Sequence, residues 1–151
     1  MELKAQYVFD APIGRVWSRL MDPATVAACL PGCQRFEPIG DDRYQVVLTA
    51  GVAAITGTFE GTVAIADKQP ETSYRLIIQG RGHPGFANGE STVRLTPSDT
   101  GVVVDVAGVV TIGGLVAQVG QRLIGATARM MMDRFFKCLQ AKIGDSSLPQ
   151  G

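Results

Sequence analysis

The sequence predicts an α+β fold in which one curved antiparallel sheet packs against a single long helix. Three observations carry that prediction: a leading strand trailed by two short helices, turn-punctuated strands from Cys33 to Thr111, and a sustained helical stripe near the C-terminus. At 151 residues the chain suits one domain, predicted over 1–144, with a tail over 145–151 rich in serine, proline and glycine.

In the first strand, Leu3, Ala5, Tyr7 and Phe9 alternate with Glu2, Lys4, Gln6 and Asp10. That period of two marks a strand with one buried face. Pro12 then opens a helical stretch in which Ile13, Val16, Trp17 and Leu20 recur at helical spacing. Asp22 and Pro23 restart a second helix as N-cap and first turn, and Pro31-Gly32 stops it.

Six further strands are predicted at Gln34–Ile39, Tyr44–Ala50, Ala54–Ala66, Tyr74–Gln79, Phe86–Thr96 and Val102–Thr111, making seven in all. Between them Gly40–Asp42, Lys68–Thr72, Arg81–Gly85 and Pro97–Gly101 supply turns too short for anything but antiparallel neighbours. Glycines at 57, 61 and 108 interrupt otherwise apolar strand faces, a sign of curvature or close backbone approach. After Gly113-Gly114, the spacing predicts one helix from Leu115 to Ile143, its stripe formed by Val116, Val119, Leu123, Thr127, Met131, Phe135 and Leu139.

Composition narrows the function. Basic and acidic residues balance at 14 each, so no global field favours nucleic acid. No apolar run is long enough to span a bilayer, and the first ten residues lack a signal-peptide pattern, so a cytoplasmic protein is expected. Cys29, Cys33 and Cys138 are odd in number in a chain large enough not to need stapling, so no disulfide is expected. A metal is not expected either, because the Cys29/Cys33 pair supplies half of a tetrahedral shell and His83 is the single histidine.

The segment Ala28-Cys29-Leu30-Pro31-Gly32-Cys33 resembles the CoxG family of carbon monoxide dehydrogenase subunits, within the polyketide cyclase and START-like (SRPBCC) superfamily. The likeness continues through Gly57–Gly61, Gly85–Gly89 and Gly113–Ile124 to Phe135-Phe136, nearly the whole chain. It implies a helix-grip fold with an elongated hydrophobic cavity between the sheet and the C-terminal helix. It also implies work beside a molybdenum hydroxylase of the carbon monoxide dehydrogenase type, with peripheral membrane contact and a lipid or quinone in the cavity. Longer members continue past the domain, and autonomous anchoring is not expected of a chain that ends soon after Ile143.

On this reading the cavity is lined by Ile55, Phe59, Leu76, Ile78, Ala87, Val106, Ile112, Val119, Leu123 and Met131, with Trp17 and Leu30 from the small helices. Missing side chains at Gly57, Gly61, Gly89 and Gly108 leave room, and Met130, Met131 and Met132 adapt to the ligand. His83 and Phe86 belong to a loop expected to gate the mouth. Arg122, Arg129, Arg134, Lys137 and Lys142 give the last helix a basic surface for anionic headgroups or an acidic partner. Two other readings compete. One is a cyclase- or hydrolase-like enzyme using Tyr7, Tyr44 and Tyr74 as proton donors, and the other is an interaction module with a filled core.

Overall fold

The computed structural model describes residues 1–52, 55–83 and 85–147, with the side chains at 50–52, 55 and 145–147 left outside the description. Strand β1 (Glu2–Phe9) leads into helices α1 (Ile13–Leu20) and α2 (Pro23–Cys29). Six strands then follow: β2 (Cys33–Gly40), β3 (Arg43–Val52), β4 (Ile55–Gln69), β5 (Ser73–Gly82), β6 (Gly85–Pro97) and β7 (Val102–Gly113). The chain closes with a 3-10 turn, Leu115–Val119, and helix α3 (Gln121–Ser147). The predicted tail thus begins inside α3, and residues 148–151 lie outside the described residues.

All strand pairs are antiparallel, in the order β1-β7-β6-β5-β4-β3-β2. Strands β2 to β7 are a meander dictated by their short turns, while β1 pairs with β7 at the opposite edge from β2. Helices α1 and α2 therefore carry the chain from one edge of the sheet to the other. The predicted Arg81–Gly85 turn is tighter than expected, because pairing continues down to Gly82 opposite Gly85.

Each short helix has a local cause. Asp22 caps α2 by accepting from the Ala24 amide (3.3 Å) and the Thr25 hydroxyl (2.6 Å), and Pro23 occupies the first turn where no amide hydrogen is required. In α1, Val16 and Leu20 are buried on the side facing the core. The expectation of a single helix from Leu115 is corrected. Gly120 sits at φ 95°, a left-handed conformation that breaks the segment into the 3-10 turn and α3.

At 27 residues, α3 runs about 40 Å and lies along the concave face. Its C-terminal half supplies Phe136, Leu139 and Ile143 to a core shared with Phe9, Val16, Leu20, Val93, Leu95, Val102 and Val104. Tyr7 stacks on Phe136 at a centroid distance of 4.2 Å, and Trp17 meets Tyr74 edge-on at 5.6 Å. A smaller cluster of Val116 and Ile124, joined by Met1, Ile112 and Val119, fills the other end.

The cysteine expectation is also corrected. Cys29 at the end of α2 and Cys138 in α3 form a disulfide, with Cα atoms 5.4 Å apart across 109 residues of sequence. Counting cysteines could not reveal it, because the packing of α2 on α3 brings the two together. Cys33 keeps its thiol.

Candidate ligand cavity

Antiparallel register sorts the concave face into cross-strand rows. One row joins Tyr74, Val93 and Val106; the next joins Ile65, Leu76, Ser91, Gly108 and Leu3; a third joins Val63, Ile78, Gly89 and Val110. These three rows floor a cavity of about 310 Å³. Met131, Met132, Phe135 and Phe136 of α3 roof it, and Leu20, Met21, Pro23, Val26 and Leu30 close the side formed by the short helices. Phe36 and Tyr44, stacked at 4.8 Å, complete the wall at the β2 edge. The volume lies at the low end of the range for small-molecule sites.

The structure brings together Leu30, Leu76, Ile78, Val106 and Met131 of the predicted lining. Phe59, Ala87 and Ile112 face the same side of the sheet but lie beyond the last lining row. Ala87 and Ile112 share the next row with Gly61 and Gly80, Phe59 lies one row further, and this end is filled by the Val116 cluster, which also takes Val119. Leu123 sits one turn before Thr127, whose hydroxyl donates to its carbonyl at 2.9 Å, and lies outside the lining. Trp17 packs behind the lining residue Tyr74 rather than on the cavity itself. The side chain of Ile55 lies outside the described residues.

The glycines divide in the same way. Gly89 and Gly108 line the cavity, whereas Gly57 and Gly61 do not. A Cβ at Gly61 would run into the Gln79 carbonyl of β5, and one at Gly108 would meet the Glu90 carbonyl of β6 at 2.7 Å, so close strand approach accounts for both glycines, and Gly108 lines the cavity besides. Sequence reasoning missed Leu3, Phe36, Val63, Ile65 and the α2 residues Pro23 and Val26. Their alternating or helical placement was the available signal.

Electrostatically the cavity is nearly blank. Among the described residues, no lysine, arginine or histidine lines it, and the one carboxylate that does, Glu90, is engaged by Arg75 at 3.1 Å on the outer side of the sheet. Burial pushes the Tyr74 phenol well above its ordinary value. The Tyr7 phenol is pushed up too, first by burial and then by its hydrogen bond to Asp133 at 2.7 Å. Both are thereby poorer proton donors than a free tyrosine, which weakens the acid-catalyst reading of these residues. Burial likewise raises the Cys33 thiol, against the demands of a nucleophile. Among the described residues, no group of three or more His, Cys, Asp or Glu side chains is placed to hold a metal.

The gate residues lie elsewhere. His83 occupies the exposed tip of the β5–β6 hairpin, and the Phe86 ring lies over Gly113, away from the cavity lining. On α3, Arg122, Arg129, Arg134 and Lys137 are exposed. Arg129 donates to the Lys4 carbonyl at 2.9 Å, and Lys142 is half-buried, about 160° around the helix from Arg122. The predicted five-residue basic surface is thus narrower than expected.

A family model for CoxG, a carbon monoxide dehydrogenase subunit, matches residues 6–144, from within β1 to near the end of α3. The chain belongs to the CoxG family. A conserved protein from Geobacillus kaustophilus is 34% identical to this CoxG-family chain, covers 97% of both chains and superimposes at a TM-score of 0.94. A Thermus thermophilus protein, 15% identical, covers 97% of this chain and 99% of its own at a TM-score of 0.72. The di-domain ARO/CYC StfQ from the steffimycin biosynthetic pathway is 9% identical, with a TM-score of 0.72 over 97% of this chain and 52% of that one. These last two likenesses establish the helix-grip fold alone. No curated protein matches the chain. Family and fold together fit a ligand-binding accessory role.

Proposed function

We propose that this CoxG-family chain is a non-catalytic accessory protein that holds a lipid or quinone in its cavity. It helps a molybdenum hydroxylase of the carbon monoxide dehydrogenase type engage the membrane or its electron acceptor. The observation that carries the reading is the 310 Å³ space walled by apolar side chains, between the sheet and α3. An interaction module with a filled core has no use for such a space, and a cyclase or hydrolase needs converging polar groups that this lining lacks.

The exposed residues Arg122, Arg134 and Lys137 support contact with anionic headgroups at the inner face of the membrane. No helix among the described residues is long and apolar enough to cross a membrane, so any such contact by these elements is peripheral. A cytoplasmic location completes the proposal.

The test is extraction of the purified protein with organic solvent, followed by mass spectrometry of the extract. A lipid or quinone retained through purification, or taken up from added stock, is the expected result. Repeated absence of both, with no uptake in vitro, contradicts the proposal.

A further inference from the structure

Ser91 sits in the middle of the three rows that floor the cavity, between Leu76 of β5 and Gly108 of β7. Its neighbour two residues back on the same face is Gly89 and its partner across on β7 is Gly108, so no side chain flanks it on those two sides, while Val93 flanks it two residues on. The Ser91 Oγ is buried and has no hydrogen-bond partner, alone among the buried side-chain oxygens and nitrogens of the described residues. A buried hydroxyl is ordinarily satisfied, and one left unpaired in the wall of an apolar cavity points to a partner that arrives with the ligand.

We propose that Ser91 is the polar anchor of the cavity, donating a hydrogen bond to a carbonyl oxygen of a neutral, otherwise apolar ligand. The inference rests on the cavity's role as a ligand site and specifies what that ligand carries. Neutrality follows from the lining. An anion would meet no lysine, arginine or histidine, and a cation would meet only Glu90, already engaged by Arg75. Hydrogen-bond bookkeeping selects a carbonyl over a hydroxyl. Two hydroxyls facing each other hold two donors and share one bond, leaving a hydrogen orphaned, whereas a carbonyl uses the Ser91 hydrogen and brings none of its own.

Matched pairs of probes test this: menadione against methylnaphthalene, and methyl laurate against dodecane, each titrated into the full chain and into Ser91→Ala. Binding is read by calorimetry and by the fluorescence of Trp17, which touches the lining residue Tyr74. The wild type is expected to prefer the carbonyl member of at least one pair by about tenfold, and Ser91→Ala to erase that preference while hydrocarbon affinity holds. The pair that shows the preference tells a ring carbonyl from an ester carbonyl. Unchanged carbonyl affinity in Ser91→Ala overturns the anchor while leaving the cavity reading intact. Failure of all four probes to bind the wild type overturns the cavity reading itself. Thermal melts supply an independent readout: relieved of an open hydroxyl, ligand-free Ser91→Ala should unfold at the same temperature or slightly higher. A drop of several degrees would mean that the fold itself satisfies the hydroxyl, and would also overturn the anchor.

Discussion

Truncating Leu139 to alanine removes a side chain with no exposed surface at the junction of α3, β1 and α1. The expected loss is about 3 kcal/mol, measured by denaturant unfolding, because the surrounding core cannot collapse into the hole. The same change at Leu76 should cost less, since that side chain already borders empty space. Titration adds a second residue-scale prediction. With the Tyr7 and Tyr74 phenols held above their ordinary value of 10.0, the neutral forms belong to the folded state. Their contribution to stability is complete below pH 10 and is lost as pH rises beyond it, where the unfolded chain ionises first. Thermal midpoints should therefore fall above that pH, and less steeply in Tyr74→Phe. At this scale the sequence disclosed facing but not extent. Phe59, Ala87 and Ile112 point to the concave side as their alternation implies, yet where the cavity stops depends on the Val116 cluster, whose members meet only in the folded chain. Ser91 was invisible because a serine within a strand carries no pattern until its neighbours are known.

Helix α2 is the element on which the cavity's side wall depends, and two devices hold it. The Asp22 cap is the first. The Asp22 carboxyl lies below its usual range, chiefly through the Thr25 hydroxyl, so its support is present above the ordinary carboxylate pKa and is lost as pH falls through the lowered value. Asp22→Ala should cost about 1 kcal/mol at neutral pH, read from unfolding curves. The disulfide to α3 is the second. Closing a loop of 109 residues restricts the unfolded chain, so replacing Cys29 and Cys138 by serine should lower stability by about 4 kcal/mol. A loss under about 1 kcal/mol, or recovery of three free thiols from native protein, would contradict the bond. On α3, alanine at Arg122, Arg134 and Lys137 should weaken binding to anionic vesicles by about 1 kcal/mol per residue while neutral vesicles respond little. Elements were largely legible: Asp22-Pro23 announced α2, and the short turns announced the meander. The break before α3 was not, because Val116, Val119 and Leu123 keep helical spacing across Gly120, and its left-handed backbone leaves no mark on apolar periodicity.

Across the whole molecule, one long helix laid on a curved sheet cannot fill the concavity along its entire length. The C-terminal half of α3 packs tightly with Phe9, Val102 and Val104, and the Val116 cluster plugs the other end. Between them the middle of α3 offers methionines and Phe135 above a floor thinned by Gly89 and Gly108, and the space remains. That arrangement was foreseeable in outline from the glycine-interrupted strands, while the pairing of β1 with β7 at the far edge emerges only in the folded chain. Whether the space is a seat for a ligand is decided most directly by a crystal structure grown with a brominated menadione. Anomalous density is expected between Met131 and the Leu76–Ser91 row, with the ring carbonyl on Ser91. Rearranged side chains occupying that volume, with bromine density absent from it, would contradict a ligand seat.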